Sequence, residues 1–308
     1  MGWTTTPEGA APKSSRSGGE GSMVFQAWRR YKKNKLAVFG LGFMVLLVLI
    51  SILAPLLAPH DPFSSIKNEA GTLDIMAKPS QEYLLGTDSL GRDVLSRLMY
   101  AGRVSLSVGL VSVTISTVLG VLLGALAGYY GKWTDSVIMR VVDVVYCFPV
   151  MFLIITVSAL LKPSMFNVMI IIGLVSWVGT ARLVRGEILR VRELEYVQAS
   201  KALGVRSFTI IVRHILPNIM APILVQATLM TADAILTEAA LSFLGVGVQQ
   251  PTPSWGNMLN EAMSIMVLRF KYWIWLYPGL AILLTVLSIN FIGDGLRDAL
   301  DPKLKGRK

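Results

Sequence analysis

Long apolar runs alternate with short polar breaks along this chain. Residues 36–58 carry no charged side chain. Further runs fall at about 103–128, 138–160, 166–183, 214–240 and 272–294. Each is close to the ~20 residues a helix needs to cross a bilayer. The pattern predicts an all-α polytopic membrane protein with six transmembrane helices. The first run is too long for the core of a cleaved leader and reads as a span.

The polar breaks have their own patterns. Residues 1–22 are Gly, Ser, Thr, Pro and Ala with few charges, which reads as a disordered tail. The basic collar "AWRRYKKNK" (27–35) follows, so 1–35 form one N-terminal tail. Region 36–101 combines the first span with a long polar loop. Within that loop, 85–102 predicts an interfacial helix capped by Asp88, with Asp88/Arg92 and Asp93/Arg97 as i,i+4 pairs. Region 102–300 holds the remaining spans, and 301–308 are a polar tail. Between spans four and five, "EYVQASKALGVRSFTIIVRHILPN" (195–218) predicts a short helix over about 193–206. Tyr196, Ala199 and Leu203 share one face, and Glu195, Gln198 and Lys201 lie on others. Gly204 is a natural stop, and Ser207 can cap a second helix leading through Leu216-Pro217 into span five.

Charge sets the orientation. Of the 29 lysines and arginines, 21 fall on one side of the six spans and 8 on the other. The positive-inside rule then puts both termini in the cytoplasm, which also explains the net charge of +10 without nucleic acid. The fraction of charged residues is 16%, below the roughly 25% of soluble domains.

Little enzymatic chemistry is present. The chain has one cysteine, Cys147, so it forms no internal disulfide, and His60 and His214 make no metal motif. "GYYGKWT" (128–134) lacks the spacing of a phosphate-binding loop. No catalytic set and no metal site are expected. In span five, Gln226, Met230, Asp233 and Thr237 recur at helical spacing. Such a stripe either lines a hydrophilic pathway or joins helices as polar glue. Glu238 follows it. In "SFLGVGVQQPTPSWG" (242–256), Gly245, Gly247, Pro251 and Pro253 forbid a continuous helix. Phe243, Leu244 and Trp255 would hold this segment at the membrane, either as a gate element or as an ordinary interfacial loop. Asp143 reads as a partner of Arg140 or a helix end.

Four separated stretches carry a resemblance: "LGTDSLGRDVLSR" (85–97), "GYYGKWTDSVIMRVVD" (128–143), "EAALSFLGVGVQQPTPSWGNML" (238–259) and "GDGLRDALDP" (293–302). With Gln198-Ala199-Ser200, Gly204 and Leu216-Pro217, they resemble the C-type permease of the dipeptide/oligopeptide/nickel ABC importers over about residues 30–305. The resemblance implies the type I ABC importer permease fold in a bacterial or archaeal cytoplasmic membrane. It implies a paralogous permease as heterodimer partner, two ABC ATPase subunits that hold the ATP and Mg, and an extracytoplasmic substrate-binding protein. It implies peptides as cargo, with nickel or another small solute as the alternative. Glu195, Tyr196, Gln198, Ala199, Ser200, Leu203, Gly204, Leu216 and Pro217 would couple to the ATPase. Gln198 stands where the family has an acid, and Ser200 where it has alanine, so docking by shape is expected there. Gln226, Met230, Asp233, Thr237, Glu238, Phe243, Leu244 and Trp255 are the pathway or gate candidates. An ion-coupled transporter, a channel or a membrane scaffold are the competing classes.

Overall fold

The computed structural model describes residues 23–66, 71–162 and 164–300. The tails expected at 1–22 and 301–308 lie outside these. In chain order the helices are α1 (Met23–Tyr31), α2 (Lys35–Ile52), α3 (Ala54–Leu57), α4 (Val94–Tyr130), α5 (Lys132–Cys147), α6 (Val150–Leu160), α7 (Met165–Val191) and α8 (Glu195–Ala202). After these come α9 (Ser207–Thr209), α10 (Leu216–Phe243), α11 (Trp255–Leu259), α12 (Ile265–Phe270) and α13 (Tyr272–Leu300). A π-helical turn, Ile210–Ile215, joins α9 to α10, so that Ser207–Phe243 is one rod. Among the described residues, five helices are long and apolar enough to cross a membrane. The pair α5 and α6 makes a sixth when taken together, but it is bent by 86° at Phe148–Pro149, so the helix expected at 138–160 is broken. Pro149 cannot donate a helical hydrogen bond, which accounts for the break.

Two expectations are corrected here. The interfacial helix at 85–102 does not form as a separate element. Residues 85–93 are irregular, and the helix begins at Val94 and runs unbroken into the second span. Its cap is Asp93, whose carboxylate accepts from Ser96 N at 2.8 Å; Asp88 is not the cap. Asp88 and Arg92 do pair, at 2.7 Å, but Arg97 turns to Asp88 (3.4 Å) instead of Asp93. At the other site, Ser207 is the first helical residue and makes no side-chain cap bond.

The bundle is built on α4 and α7. Of α7's most apolar window 61% is buried, against 17% of α2's. Gly120, Gly124 and Gly128 recur every four residues on α4 and face Thr180, Ala181, Val184 and Ile188 of α7. A Cβ at Gly124 would stand 2.6 Å from the Ala181 carbonyl and 2.9 Å from Val184 Cβ. Between helices in lipid no hydrophobic force acts, and such close approach is what gives dispersion contact. On the other side, α2 lies along α13, where a Cβ at Gly40 would meet the Ser288 carbonyl at 2.7 Å. Asn34 caps α2 by accepting from Ala37 N at 3.2 Å.

Gly124→Leu should lower the midpoint of thermal unfolding of the detergent-purified protein by an amount equivalent to about 1–3 kcal/mol, the usual cost of overpacking. Gly186→Leu, in a helix position with open space around it, should be neutral or stabilising. Equal effects of the two would refute the seam.

Candidate functional site

The region from α7 to α10 folds around a shared apolar core. α7 ends at Val191, and α8 follows after a short turn with Leu194 as N-cap. Gly204 takes φ +76 and turns the chain, a conformation glycine adopts without strain. One side chain of α8, Val197, is buried at 3% exposure. It joins Val191, Ile210, Ile211 and Ile215 in a core shared by the ends of α7 and α10. Glu195, Tyr196, Gln198, Ala199, Leu203 and Gly204 are exposed, and Ser200 is half-buried. Leu203 stands 83% exposed and Phe208, just past the turn, 76%.

Polar bonds fasten this helix to its neighbours. Gln198 Nε2 donates to the Arg192 carbonyl at 2.9 Å, closing the end of α7. A carboxylate could not donate there, which gives the amide at 198 a local reason. Asn218 Nδ2 donates to the His214 carbonyl (2.6 Å) and to Tyr196 Oη (3.1 Å). Leu216 N bonds back five residues to Ile211 O, and Pro217 has no N–H to continue the regular ladder. The wide turn therefore absorbs the proline, and Asn218 and Tyr196 tie α8 to the foot of α10. Leu216 packs on the shared core, and Pro217 is exposed.

The polar stripe of α10 comes together on one cavity of about 200 Å³. Gln226, Met230, Asp233 and Thr237 line it with Ser176 and Gly179 of α7 and with Tyr146 and Val150, which flank the 86° break. Asp233 is exposed there and forms no salt bridge among the described residues. Met230 also accepts from Thr180 Oγ1 at 3.2 Å. Glu238 does not join the stripe. It is fully buried, accepting from Ser105 Oγ (2.9 Å) and Ser242 Oγ (2.7 Å), and so bridges α4 and α10. Below the cavity, Asp135 pairs with Arg185 and Asp143 with Arg182 (2.8 Å). The expected Asp143–Arg140 pair is thus replaced by a clasp from α5 to α7, which sequence spacing could not reveal.

The segment after α10 is folded inward. Trp255 is 1% exposed, so it is a core residue and not a membrane anchor. Its Nε1 donates to the Leu98 carbonyl at 3.2 Å. Ser254 and Asn257 form a capping box, and Asn257 Nδ2 also holds the Val248 and Thr252 carbonyls. Phe243 is half-buried and Leu244 is exposed. Arg92 and Arg97 both donate to Gln250 Oε1, at 2.7 and 3.1 Å, and Arg97 also reaches the Pro62 carbonyl at 3.0 Å. Glu261 accepts from Ser89 N at 3.0 Å. Burial, and next the nearby Asp88 carboxylate, raise the Glu261 pKa above its ordinary value. The motifs at 85–97 and 238–259 are therefore two halves of one cap. Sequence reading missed Arg97 and Gln250 as its centre, because their partners lie far apart along the chain.

Comparison with known proteins places this architecture. Residues 120–306 match the model of the binding-protein-dependent transport system inner membrane component. Residues 22–78 match the N-terminal transmembrane domain of oligopeptide transport permease C. The dipeptide transport system permease protein DppC of Alkalihalophilus pseudofirmus is 44% identical over 300 residues, covering 97% of this chain and 96% of that one. The di/tripeptide transport system permease protein DppC of Pseudomonas aeruginosa is 44% identical over 296 residues, covering 96% and 97%. The glutathione transport system permease protein GsiD of Pectobacterium atrosepticum is 43% identical over 278 residues, covering 90% of each chain. Together with the helical bundle and its apolar spans, these matches make the chain a member of the family of binding-protein-dependent transport inner-membrane components, the permease subunits of ABC importers.

Proposed function

We propose that this chain forms half of the membrane pathway of an ATP-driven importer of short peptides, completed by a paralogous permease. Two ATPase subunits bind ATP and Mg on its cytoplasmic side, and a binding protein delivers cargo on the other. The chain itself catalyses no reaction and holds no cofactor. The names of its relatives favour peptides over nickel. The observation that carries the reading is α8, one buried valine beneath a helix whose other side chains are mostly exposed, with Leu203 and Phe208 uncovered beside it. Leu203 at the turn and Phe208 at the very start of the rod that leads into α10 are the apolar groups a partner surface would cover. The ties from Val197 and Tyr196 to the foot of α10 then carry motion of that partner to the helix bearing Asp233, as a rigid-body shift.

Three measurements test this reading. Leu203→Glu leaves the fold intact, since the side chain touches little. It should nevertheless cut retention of the ATPase subunits on purification, and ATP-driven uptake, by about tenfold or more, as expected for a central contact. Uptake and retention at wild-type level would sink the coupling role.

Orientation follows from the basic residues. In a Cys147→Ser background, a cysteine at Ser65 should react with an impermeant thiol reagent in intact cells, and one at Ala202 only after lysis. The reverse pattern refutes cytoplasmic termini.

Asp233 is placed to attract the cationic amino terminus of a peptide without holding it. A single carboxylate in a wet cavity is worth about 1 kcal/mol. Asp233→Asn should therefore reduce uptake of a free dipeptide roughly fivefold and leave its N-acetylated form unchanged, with normal complex yield. Equal loss for both peptides together with poor yield would assign Asp233 to helix packing.

A further inference from the structure

A second cavity, of about 820 Å³, lies between α2, α4, α10 and α13. Its α10 wall includes Leu224, Thr228, Thr231 and Ile235. Each stands two residues before a member of the Gln226–Thr237 stripe, and two residues are about 200° around a helix. The cavity is therefore on the opposite side of α10 from the polar cavity and from the broken helix that flanks it.

Its chemistry is that of hydrocarbon with one charge. Six hydroxyl residues line it; four are turned into their own helices, while Thr117 Oγ1 is buried without a partner among the described residues. Ser51 donates to Leu47 O, Thr114 to Leu110 O, Thr228 to Leu224 O and Thr231 to Ala227 O, all within 2.8–2.9 Å. What remains facing the cavity is largely methyl and methylene. The lone cation of the lining is Arg103, near the N-terminal end of α4. Arg103 is exposed, forms no salt bridge among the described residues, and lies 5.8 Å from the Tyr100 ring. From Arg103 to Val118 the groove follows α4 for fifteen residues, about 22 Å at 1.5 Å per residue. One leaflet of hydrocarbon is about 15 Å deep, so a tilted acyl chain fits along it with its head at Arg103.

We infer that this groove is a binding site for one anionic glycerophospholipid, its phosphate on Arg103 and an acyl chain along α4 and α10. The inference rests on the reading that the Asp233 side of α10 faces the pathway and the partner permease, because the groove then faces the surrounding bilayer. A second permease copy is the competing occupant. Arg103 favours lipid, since an unpaired guanidinium at the headgroup level draws a phosphate, with about 1 kcal/mol per basic residue near an anionic surface.

The test is lipid counting by native mass spectrometry on the complete purified transporter. The probe is a detergent micelle carrying equal phosphatidylglycerol and phosphatidylcholine. The wild type should retain one phosphatidylglycerol that Arg103→Gln loses, with half-saturation shifted about fivefold and phosphatidylcholine binding unchanged. Arg103→Lys should stay within about twofold of the wild type, because the charge remains. Ala227→Trp, which fills the groove, should remove the site for both lipids while all subunits stay together. Wild-type phosphatidylglycerol retention in both Arg103→Gln and Ala227→Trp would overturn the site. Loss of the partner permease from Ala227→Trp with lipid retention unchanged would make the groove a subunit interface and also overturn it. Lipid counting needs no transport, so its failure is separable from failure of the uptake experiments.

Discussion

Close approach of α4 to α7 is the contact on which this molecule depends. Within a bilayer, a leucine gains nothing by leaving lipid for another leucine. What remains is the density of contact, and three glycines at every fourth position let the two helices approach so closely that an added Cβ would clash at each. Everything else is placed by that pair. The N-terminal end of α4 carries Arg97 of the cap, and the C-terminal end of α7 leads through a short turn into α8.

The two ends solve the same backbone problem differently. Irregular chain near a membrane must find internal hydrogen-bond partners. At the cap, side chains supply them: the Asp88 carboxylate holds the Leu90 amide, Asn257 the Val248 carbonyl, and Arg97 the Pro62 carbonyl 35 residues back along the chain. At the foot of α10, the π turn supplies them, with Asn218 reaching the His214 carbonyl. A wide turn of this kind is less stable than a regular helix and is common where helices work.

The spans were legible because their apolar runs are long and unmixed, and the turn at Gly204 because glycine alone takes positive φ cheaply. The irregular stretch 85–93 was not. Its i,i+4 charges imitate a helix, yet Arg92 and Arg97 are claimed by Gln250 and Pro62, which no local pattern announces. Trp255 read as a membrane anchor because aromatic residues favour interfaces; its burial depends on the pocket under Leu98. Glu238, one residue past the stripe's end, lies about 100° round the helix from Thr237, where Ser105 and Ser242 bond it. Asp233 was placed by periodicity alone, and the cavity it lines is closed by Tyr146 and Val150, which only the broken helix could bring there.

The uncovered Leu203 and Phe208 have a consequence for the life of the chain before it meets any partner. A freshly inserted copy carries two large oily side chains beside an open turn. Such groups are what chaperones and proteases read as incompleteness. A partner that covered them would shield them from that surveillance. The lifetime of a copy without companions would then depend on the supply of whatever covers that patch.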